Sequence, residues 1–323
     1  MFVKANDESI RYTGRWDIKE KAATTVTPGG MIEIAYEGIE AVLHFDMEMY
    51  MQPYPHIWIS VDGGAKIETV VDHVLRIEAP DNGYHVIRVI FKSAVPVQHR
   101  WYPPLVGKIC FEGVEVEKIA SLPEDERRVI EFIGDSITEG CIIDAMYEYE
   151  QYDEFNRPIQ DDATATYAYL TAMKLNMRPV IMGYGSVGVT KSGCGSVPKA
   201  SEAYLYNFAG SPAVPQNPEM IVINHGANDG GRPAEEYICE YKKLLEVVRR
   251  VNPEAKIVVL SAFCGVHPKE LRKLVEDFNE EYQDQVYFID SAGWIPAKPI
   301  HPMRDGHAKI AGYLAEELKK LVD

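Results

Sequence analysis

The chain has 323 residues, of which 46% are hydrophobic and 25% are charged, the composition of an ordinary soluble globular protein. This length favours two domains, because single hydrophobic cores rarely grow beyond about 250–300 residues. A formal net charge of −16 argues against binding to nucleic acid or to an anionic membrane surface, since both require a basic patch. Neutral or cationic partners are favoured.

The N-terminal segment and the cysteines predict a cytoplasmic protein. MFVKANDESIRYTG contains no apolar run of signal-peptide length, and no segment approaches the roughly 18 uninterrupted apolar residues that a membrane span needs. The cysteines are widely spaced and form no CxxC pair, so neither a disulfide framework nor a cysteine zinc site is expected. They are Cys110, Cys141, Cys194, Cys239 and Cys264.

From the start to about residue 118 apolar and polar residues alternate, which is the period of β-strands. Alternation is clear in MIEIAYE (31–37), HIWISV (56–61) and YHVIRVIFKSA (84–94), and no convincing helix occurs there. Short antiparallel strands of this kind predict an all-β sandwich of jelly-roll type over residues 1–120. The turns predicted between strands include EGIE (37–40), DGGAK (62–66) and APDNG (79–83).

Over residues 121–323 buried strands alternate with amphipathic helices. Segments that are apolar on both faces predict the strands: VIEFIG, PVIM, MIVIN, KIVVL and VYFID. Apolar residues at every third or fourth position predict helices over 238–251, 271–282 and 310–321. This alternation predicts a three-layer α/β domain with a doubly wound parallel sheet.

Four segments would meet at the carboxyl edge of this sheet, where ligands of such folds bind. They are Gly134-Asp135-Ser136, GYGSVGVTKSG (183–193), HGANDGG (225–231) and IHPMRDGH (300–307). These segments supply a hydroxyl, glycines that allow close approach, an amide and an imidazole, which are the parts needed for acyl transfer. On local pattern alone Ser136 could equally be a helix N-cap, and for Asn228 the motif alone favours a cap.

Taken in order, these blocks resemble the SGNH (GDSL-type) hydrolases, through Gly134-Asp135-Ser136, Gly188, Gly226-Ala227-Asn228-Asp229 and His301-Pro302. The resemblance implies a flavodoxin-like parallel sheet, with Ser136 as the nucleophile and His301 as the base. It also implies an oxyanion hole made by the backbone N–H groups of Ser136 and Gly188 and the side-chain amide of Asn228. Gly185 is the alternative to Gly188.

A jelly roll in front of an SGNH domain is similar to carbohydrate esterase family 2, which deacetylates plant polysaccharides, and RYTGRWD (11–17) and RRVIEFIGDSITEG (127–140) also resemble that family. The resemblance implies a serine esterase that removes O-acetyl groups from neutral saccharides, such as acetylated xylo- or manno-oligosaccharides, without a cofactor. Alternatives are a generic GDSL esterase or thioesterase for short acyl chains, and a non-catalytic carbohydrate-binding protein. The sequence does not define the oligomeric state.

One position departs from the superfamily pattern. SGNH hydrolases usually carry an aspartate three residues before the histidine, where this chain has Lys298. Some members of carbohydrate esterase family 2 similarly lack the acid and use a Ser-His dyad. We therefore predict a dyad, with the Nδ1–H of His301 held by a main-chain oxygen of residues 294–298, and Trp294 as a wall for the sugar. Asp290 and Asp305 are the alternative acids, the latter also a predicted helix cap.

Several other patterns are not expected to carry function. GYGSVG (183–188) matches the dinucleotide pattern GxGxxG but does not follow the first strand, and His301, Asp305 and His307 lack the spacing of a metal site. His307 is therefore predicted to be structural. Residues 141–162 predict either a loop lining the substrate cleft or a surface loop. HRWYPPLVG (99–107), with Trp101 and Tyr102, is the predicted contact between the domains.

Overall fold

The computed structural model describes residues 1–144 and 157–321. The N-terminal part is a jelly-roll-like β-domain whose strands pair antiparallel in the order β3-β4-β9-β5-β8-β6-β7, with β1 on β9 and β2 on β5. Its strands are β1 (Phe2–Lys4), β2 (Arg11–Thr13), β3 (Asp17–Ile18), β4 (Ala23–Thr25), β5 (Met31–Phe45), β6 (His56–Val61), β7 (Ile67–Val70), β8 (Val74–Ser93) and β9 (Ile109–Ala120).

Two of the predicted turns are wrong, because EGIE lies inside β5 and APDNG lies inside β8. Gly38 and Gly83 face each other across these two strands, and the register shifts between Gly38 and Glu40. A bulge of this kind bends a strand without ending it, and Gly38 has the positive φ of 137° that favours glycine. The DGGAK turn is confirmed, since the N–H of Gly64 donates to the carbonyl of Val61 at 2.9 Å.

The C-terminal part is an α/β domain built on a parallel sheet in the order β11-β10-β14-β15-β16. All five predicted strands and all three predicted helices are present. The strands are β10 (Val129–Gly134), β11 (Arg178–Gly183), β12 (Tyr206–Phe208), β13 (Ser211–Pro212), β14 (Met220–Asn224), β15 (Lys256–Leu260) and β16 (Tyr287–Ile289). The helices are α1 (Ser136–Glu139), α2 (Arg157–Gln160), α3 (Tyr167–Lys174), α4 (Ala200–Ala203), α5 (Ala234–Val251), α6 (Pro268–Tyr282) and α7 (Arg304–Lys319).

Two hydrophobic cores lie on the two faces of this sheet. One contains the apolar faces of α5 and α6 together with Ile133 of β10, and the other contains those of α3 and α7 together with Phe132. Neighbouring residues of one strand thus point into different cores, which explains why the strands are apolar on both faces. The arrangement is the predicted three-layer α/β fold. Within the described ranges, no helix has the length and apolarity needed to cross a membrane.

The β-domain packs against the α/β domain through the predicted segment 99–107. Trp101 is buried in the core next to α5 and α6, and its ring meets the ring of Tyr184 edge-on with centroids 6.4 Å apart. Tyr102 does not contribute, because 58% of it is exposed. A second contact is the buried ion pair between Arg15 and Glu131 of β10, with Nη2 and Oε1 2.8 Å apart.

Candidate active site

Ser136 is the first residue of helix α1, and its hydroxyl is not the helix cap. The cap is Asp135, which has extended backbone and whose carboxylate accepts a hydrogen bond from the N–H of Ile137 at 3.0 Å. Gly134 is the last residue of β10. A Cβ at this position would lie 2.1 Å from Oγ1 of Thr138, so only glycine fits there. The hydroxyl of Ser136 is thereby left available for another partner.

That partner is His301, whose Nε2 lies 2.8 Å from the Oγ of Ser136. The two residues are 165 positions apart and meet because β10 and the segment before α7 end at the same edge of the sheet. Burial of the ring and the nearby positive charge of Arg157 lower the pKa of His301 to about 4, although Glu139 opposes this shift. The imidazole is therefore neutral at pH 7, the state that can accept a proton.

The pKa of Asp135 is shifted in the other direction. Complete burial raises it to about 7, against the hydrogen bond from Ile137, and the charge of Asp229 adds to the rise. Asp135 thus caps the helix while carrying a charge that its surroundings disfavour.

Neither alternative acid contacts His301. The carboxylate of Asp290 accepts hydrogen bonds from the N–H of Ala292 at 3.0 Å and from Ser261, and Asp305 accepts one from Lys309 at 3.3 Å. Asp305 is also not the predicted cap, since Met303 holds that position and Asp305 lies in the first turn of α7.

The predicted hydrogen bond from the His301 ring to the main chain of residues 294–298 stays a prediction. In this segment Trp294 turns towards α7, where its ring packs against that of Tyr313 with centroids 5.6 Å apart. Trp294 is half-buried, and its predicted contact with sugar stays a prediction.

Asn228 links the segment HGANDGG (225–231) to the segment GYGSVGVTKSG (183–193). Its Nδ2 donates to the carbonyl of Val187 at 3.0 Å, which leaves a second N–H on the same amide. Asn228 is thus joined to the loop that carries the glycines.

The backbone N–H of Gly188 has a hydrogen-bond partner within its own loop. Its N–H donates to the carbonyl of Lys191 at 3.0 Å, so in this arrangement it is not available to bind an oxyanion. The need for glycine there has a different cause: a Cβ would lie 2.5 Å from Oδ1 of Asp229. That carboxylate accepts hydrogen bonds from both the N–H and the hydroxyl of Thr190, and so shapes the loop. The alternative glycine, Gly185, lies against Glu139.

His307 has the structural role that the sequence predicts. It is completely buried, its Nδ1 accepts a hydrogen bond from the N–H of Tyr167 at 2.9 Å, and its ring stacks on that of Tyr167. The predicted cleft loop 141–162 falls largely on residues 145–156, which lie outside the described residues. Where the chain is described, no three His, Cys, Asp or Glu side chains are grouped to hold a metal.

Sequence reasoning missed Arg100, Glu139 and Arg157, three buried charged residues near Ser136 and His301. Glu139 and Arg157 act on the pKa of His301, and Arg100 pairs with Glu139. Arg157 also binds Asp161 through Nη2 and Oδ2 at 2.6 Å. The only local signal was the i, i+4 spacing of Arg157 and Asp161, which is common on exposed helices as well.

Comparison with known proteins identifies the family of this chain. The sequence model of the GDSL-like Lipase/Acylhydrolase family matches residues 132–309 of this chain. The acetylxylan esterase / glucomannan deacetylase of Cellvibrio japonicus is 23% identical over 99% of this chain and 91% of its own. The cellulase/esterase CelE of Acetivibrio thermocellus is 28% identical over 66% of this chain, and the match spans only 28% of that longer protein.

Solved structures share the whole fold. A family two carbohydrate esterase from Cellvibrio japonicus matches with a TM-score of 0.81 at 20% identity, covering 99% of this chain and 97% of that one. Another from Clostridium thermocellum, in complex with cellohexaose, matches with a TM-score of 0.80 at 22% identity, covering 97% and 99%. The chain therefore belongs to the GDSL-like lipase/acylhydrolase family, and its two-domain fold is that of the family two carbohydrate esterases.

Proposed function

We propose that this protein is a serine esterase that removes O-acetyl groups from neutral saccharides, with acetylated xylo- or manno-oligosaccharides as its substrates. The observation that carries the proposal is the 2.8 Å hydrogen bond between the Ser136 hydroxyl and the neutral imidazole of His301. The family match and the likeness to family two carbohydrate esterases support this chemistry.

In the proposed reaction Ser136 attacks the ester carbonyl while Nε2 of His301 takes the hydroxyl proton. The histidine then gives this proton to the leaving sugar oxygen, and an acetyl-enzyme remains. Water then attacks the carbonyl of the acetyl-enzyme while His301 takes a proton from it. His301 returns this proton to the oxygen of Ser136 as the acyl bond breaks, and acetate is released. Because the pKa of His301 is lowered to about 4, the ring starts each half-reaction neutral at pH 7.

The oxyanion of each tetrahedral intermediate would be bound by the backbone N–H of Ser136 and by the second N–H of the Asn228 amide. Removing one such donor typically lowers turnover about 10²–10³-fold. Gly188 could add a third donor only if its hydrogen bond to Lys191 opened. We therefore propose a Ser-His dyad with a two-donor hole in the arrangement described here.

Three further parts of the proposal concern the domain boundary, the location in the cell and the sugar site. The division into domains at residues 120 and 121 is supported by the end of β9 at Ala120 and the start of β10 at Val129. A cytoplasmic location is supported by five free thiols. The half-buried ring of Trp294 supports a place for it at the edge of the sugar site.

The direct test compares purified protein and its Ser136→Ala variant on 4-nitrophenyl acetate, a longer-chain 4-nitrophenyl ester, and acetylated xylo- and manno-oligosaccharides. We expect the wild type to cleave the acetyl substrates fastest and the variant to cleave none. A preference for the longer acyl chain would favour the generic esterase or thioesterase. That alternative is supported by 24% identity over 119 residues to thioesterase 1/protease 1/lysophospholipase L1 of Escherichia coli. Binding of saccharides without turnover of any ester would instead favour a non-catalytic binding protein.

A further inference from the structure

Two buried arginines of the β-domain each pair with a glutamate of the α/β domain. Arg15 pairs with Glu131 inside the sheet, and Arg100 pairs with Glu139 at the end of helix α1. Arg100 is 0% exposed and Glu139 is 2% exposed. Both guanidinium Nη atoms of Arg100 bind the carboxylate, with Nη2 and Oε2 3.1 Å apart.

The second pair lies directly behind the nucleophile. Ser136 begins α1 and Glu139 ends it, so the carboxylate is attached to the same single helical turn as the reacting hydroxyl. A helix of four residues has almost no stability of its own, because helix nucleation is unfavourable. Its orientation therefore depends on contacts from outside, and the two-point bond to Arg100 is one that fixes direction as well as distance.

Arg100 also contacts the glycine-rich loop that follows β11. Its backbone N–H donates to the carbonyl of Gly195 at 3.3 Å, and its guanidinium lies over the ring of Tyr184. A Cβ on Gly185 would lie 3.4 Å from Oε2 of Glu139 and 3.7 Å from Nη2 of Arg100. The ion pair is thus packed between the turn of Ser136 and the glycine loop beside it.

Stability alone is a poor explanation for such a pair. Removing two charges from water costs several kcal/mol, and replacing a buried ion pair by apolar side chains of similar volume is often neutral or stabilising. A role in holding geometry explains its position at the nucleophile better.

We propose that Arg100 is a positioning residue for the active site. Through Glu139 it fixes the position of helix α1, which carries Ser136, relative to the loop of residues 184–195, so that Ser136 can attack the ester. The β-domain then completes the active site of the α/β domain. This inference rests on the proposed function, because it assumes that Ser136 is the nucleophile.

The test replaces the pair by apolar residues of similar size in the double variant Arg100→Met/Glu139→Met, which buries no unpaired charge. The matched control is Arg15→Met/Glu131→Met, which removes the other buried pair between the domains but leaves α1 untouched. Arg100→Lys keeps the charge and loses the two-point bond. Thermal melting, kcat and KM on 4-nitrophenyl acetate, and the rate at which a fluorophosphonate labels Ser136 are measured for each variant.

We expect Arg100→Met/Glu139→Met to fold, with kcat and the labelling rate lowered roughly 10- to 100-fold, because small displacements of a reacting group cost that much. KM should change less than kcat. The control should keep kcat and labelling within about twofold, whatever its melting temperature. Glu139→Gln should in addition move the acid limb of kcat/KM to lower pH, since the Glu139 charge raises the pKa of His301. If Glu139 had only a structural role, Glu139→Gln would leave the acid limb of kcat/KM at its wild-type pH.

Wild-type kcat and labelling in folded Arg100→Met/Glu139→Met would overturn the inference. If that variant is insoluble, Arg100→Lys decides: slower labelling supports the inference and unchanged labelling overturns it. If the wild type is labelled at Ser136 but cleaves no acetyl ester, the proposed function fails while the labelling rates still decide the role of Arg100. A wild type that is not labelled overturns both.

Discussion

The carboxylate of Asp135 accepts a hydrogen bond from the N–H of Ile137 and so takes the capping role that the sequence also allowed for Ser136. The Ser136 hydroxyl is therefore free for chemistry, and its removal should not disturb the fold. We expect Ser136→Ala to lose esterase activity while its free energy of unfolding falls by only about 1 kcal/mol, the usual contribution of one hydrogen bond.

Activity assays and chemical denaturation check this prediction, with Asp135→Ala as the matched variant. At pH 4, where the folded protein holds the Asp135 carboxyl neutral, loss of the cap should cost Asp135→Ala about 1 kcal/mol. Near-wild-type turnover by Ser136→Ala would contradict the assignment of the nucleophile.

The pH profile should report the environment of His301. The ring must be neutral to act as a base, and its pKa is lowered to about 4. We expect kcat/KM to fall only below about pH 5 and to stay level from there to pH 8. Measurements on 4-nitrophenyl acetate, at pH values where circular dichroism shows folded protein, test this. An acid limb centred near pH 6.5, the ordinary value for histidine, would contradict it.

Asp135 should make stability depend on pH in a predictable direction. Its folded pKa of about 7 lies above the ordinary value of 3.8, so the folded state holds the proton more tightly than the unfolded state. The stability due to this proton is full below pH 3.8 and is lost as the pH rises to about 7. Asp135→Asn keeps an oxygen for the Ile137 cap but cannot ionise.

The free energy of unfolding of Asp135→Asn relative to wild type should therefore rise between pH 4 and pH 7, by on the order of a few kcal/mol. Urea denaturation at several pH values gives this difference. A difference that is constant over the range would mean that Asp135 does not change its protonation there.

The absence of a contact between His301 and either Asp290 or Asp305 predicts that both acids are dispensable. Their carboxylates bind Ser261, Ala292 and Lys309 instead. We expect Asp290→Ala and Asp305→Ala to keep most of the activity, whereas His301→Ala should lose it. If either aspartate variant is folded and as inactive as His301→Ala, a displaced triad replaces the dyad.

Deletion of residues 1–118 should give insoluble or unstable protein. The deletion removes Arg15 and Arg100, the ion-pair partners of Glu131 and Glu139, and with them Trp101, which is part of the hydrophobic core of the α/β domain. The apolar surface that Trp101 covers would then face water, and a large exposed apolar patch favours aggregation. A soluble, active fragment of residues 120–323 would instead mean that the α/β domain is independent.

Much of the architecture was predictable because it depends on local patterns. The apolar strands and the helices of the α/β domain follow from burial on one or both faces, which any short window of sequence reveals. Ser136, Asn228 and His301 were identified because their blocks stand at strand ends and helix starts that converge on one edge of the sheet. For these features, spacing along the chain is enough.

Other features depend on partners that are distant in sequence. EGIE and APDNG were predicted as turns, but pairing between Gly38 and Gly83 keeps both segments within long bent strands. The N–H of Gly188 was expected to face the oxyanion, but a hydrogen bond to Lys191 engages it. Arg100 and Glu139 lie in two separate segments with no pattern that pairs them, and only domain packing brings them together beside Ser136. Sequence periodicity records whether a side chain is buried, whereas the choice of hydrogen-bond or charge partner is made by the three-dimensional packing of the chain.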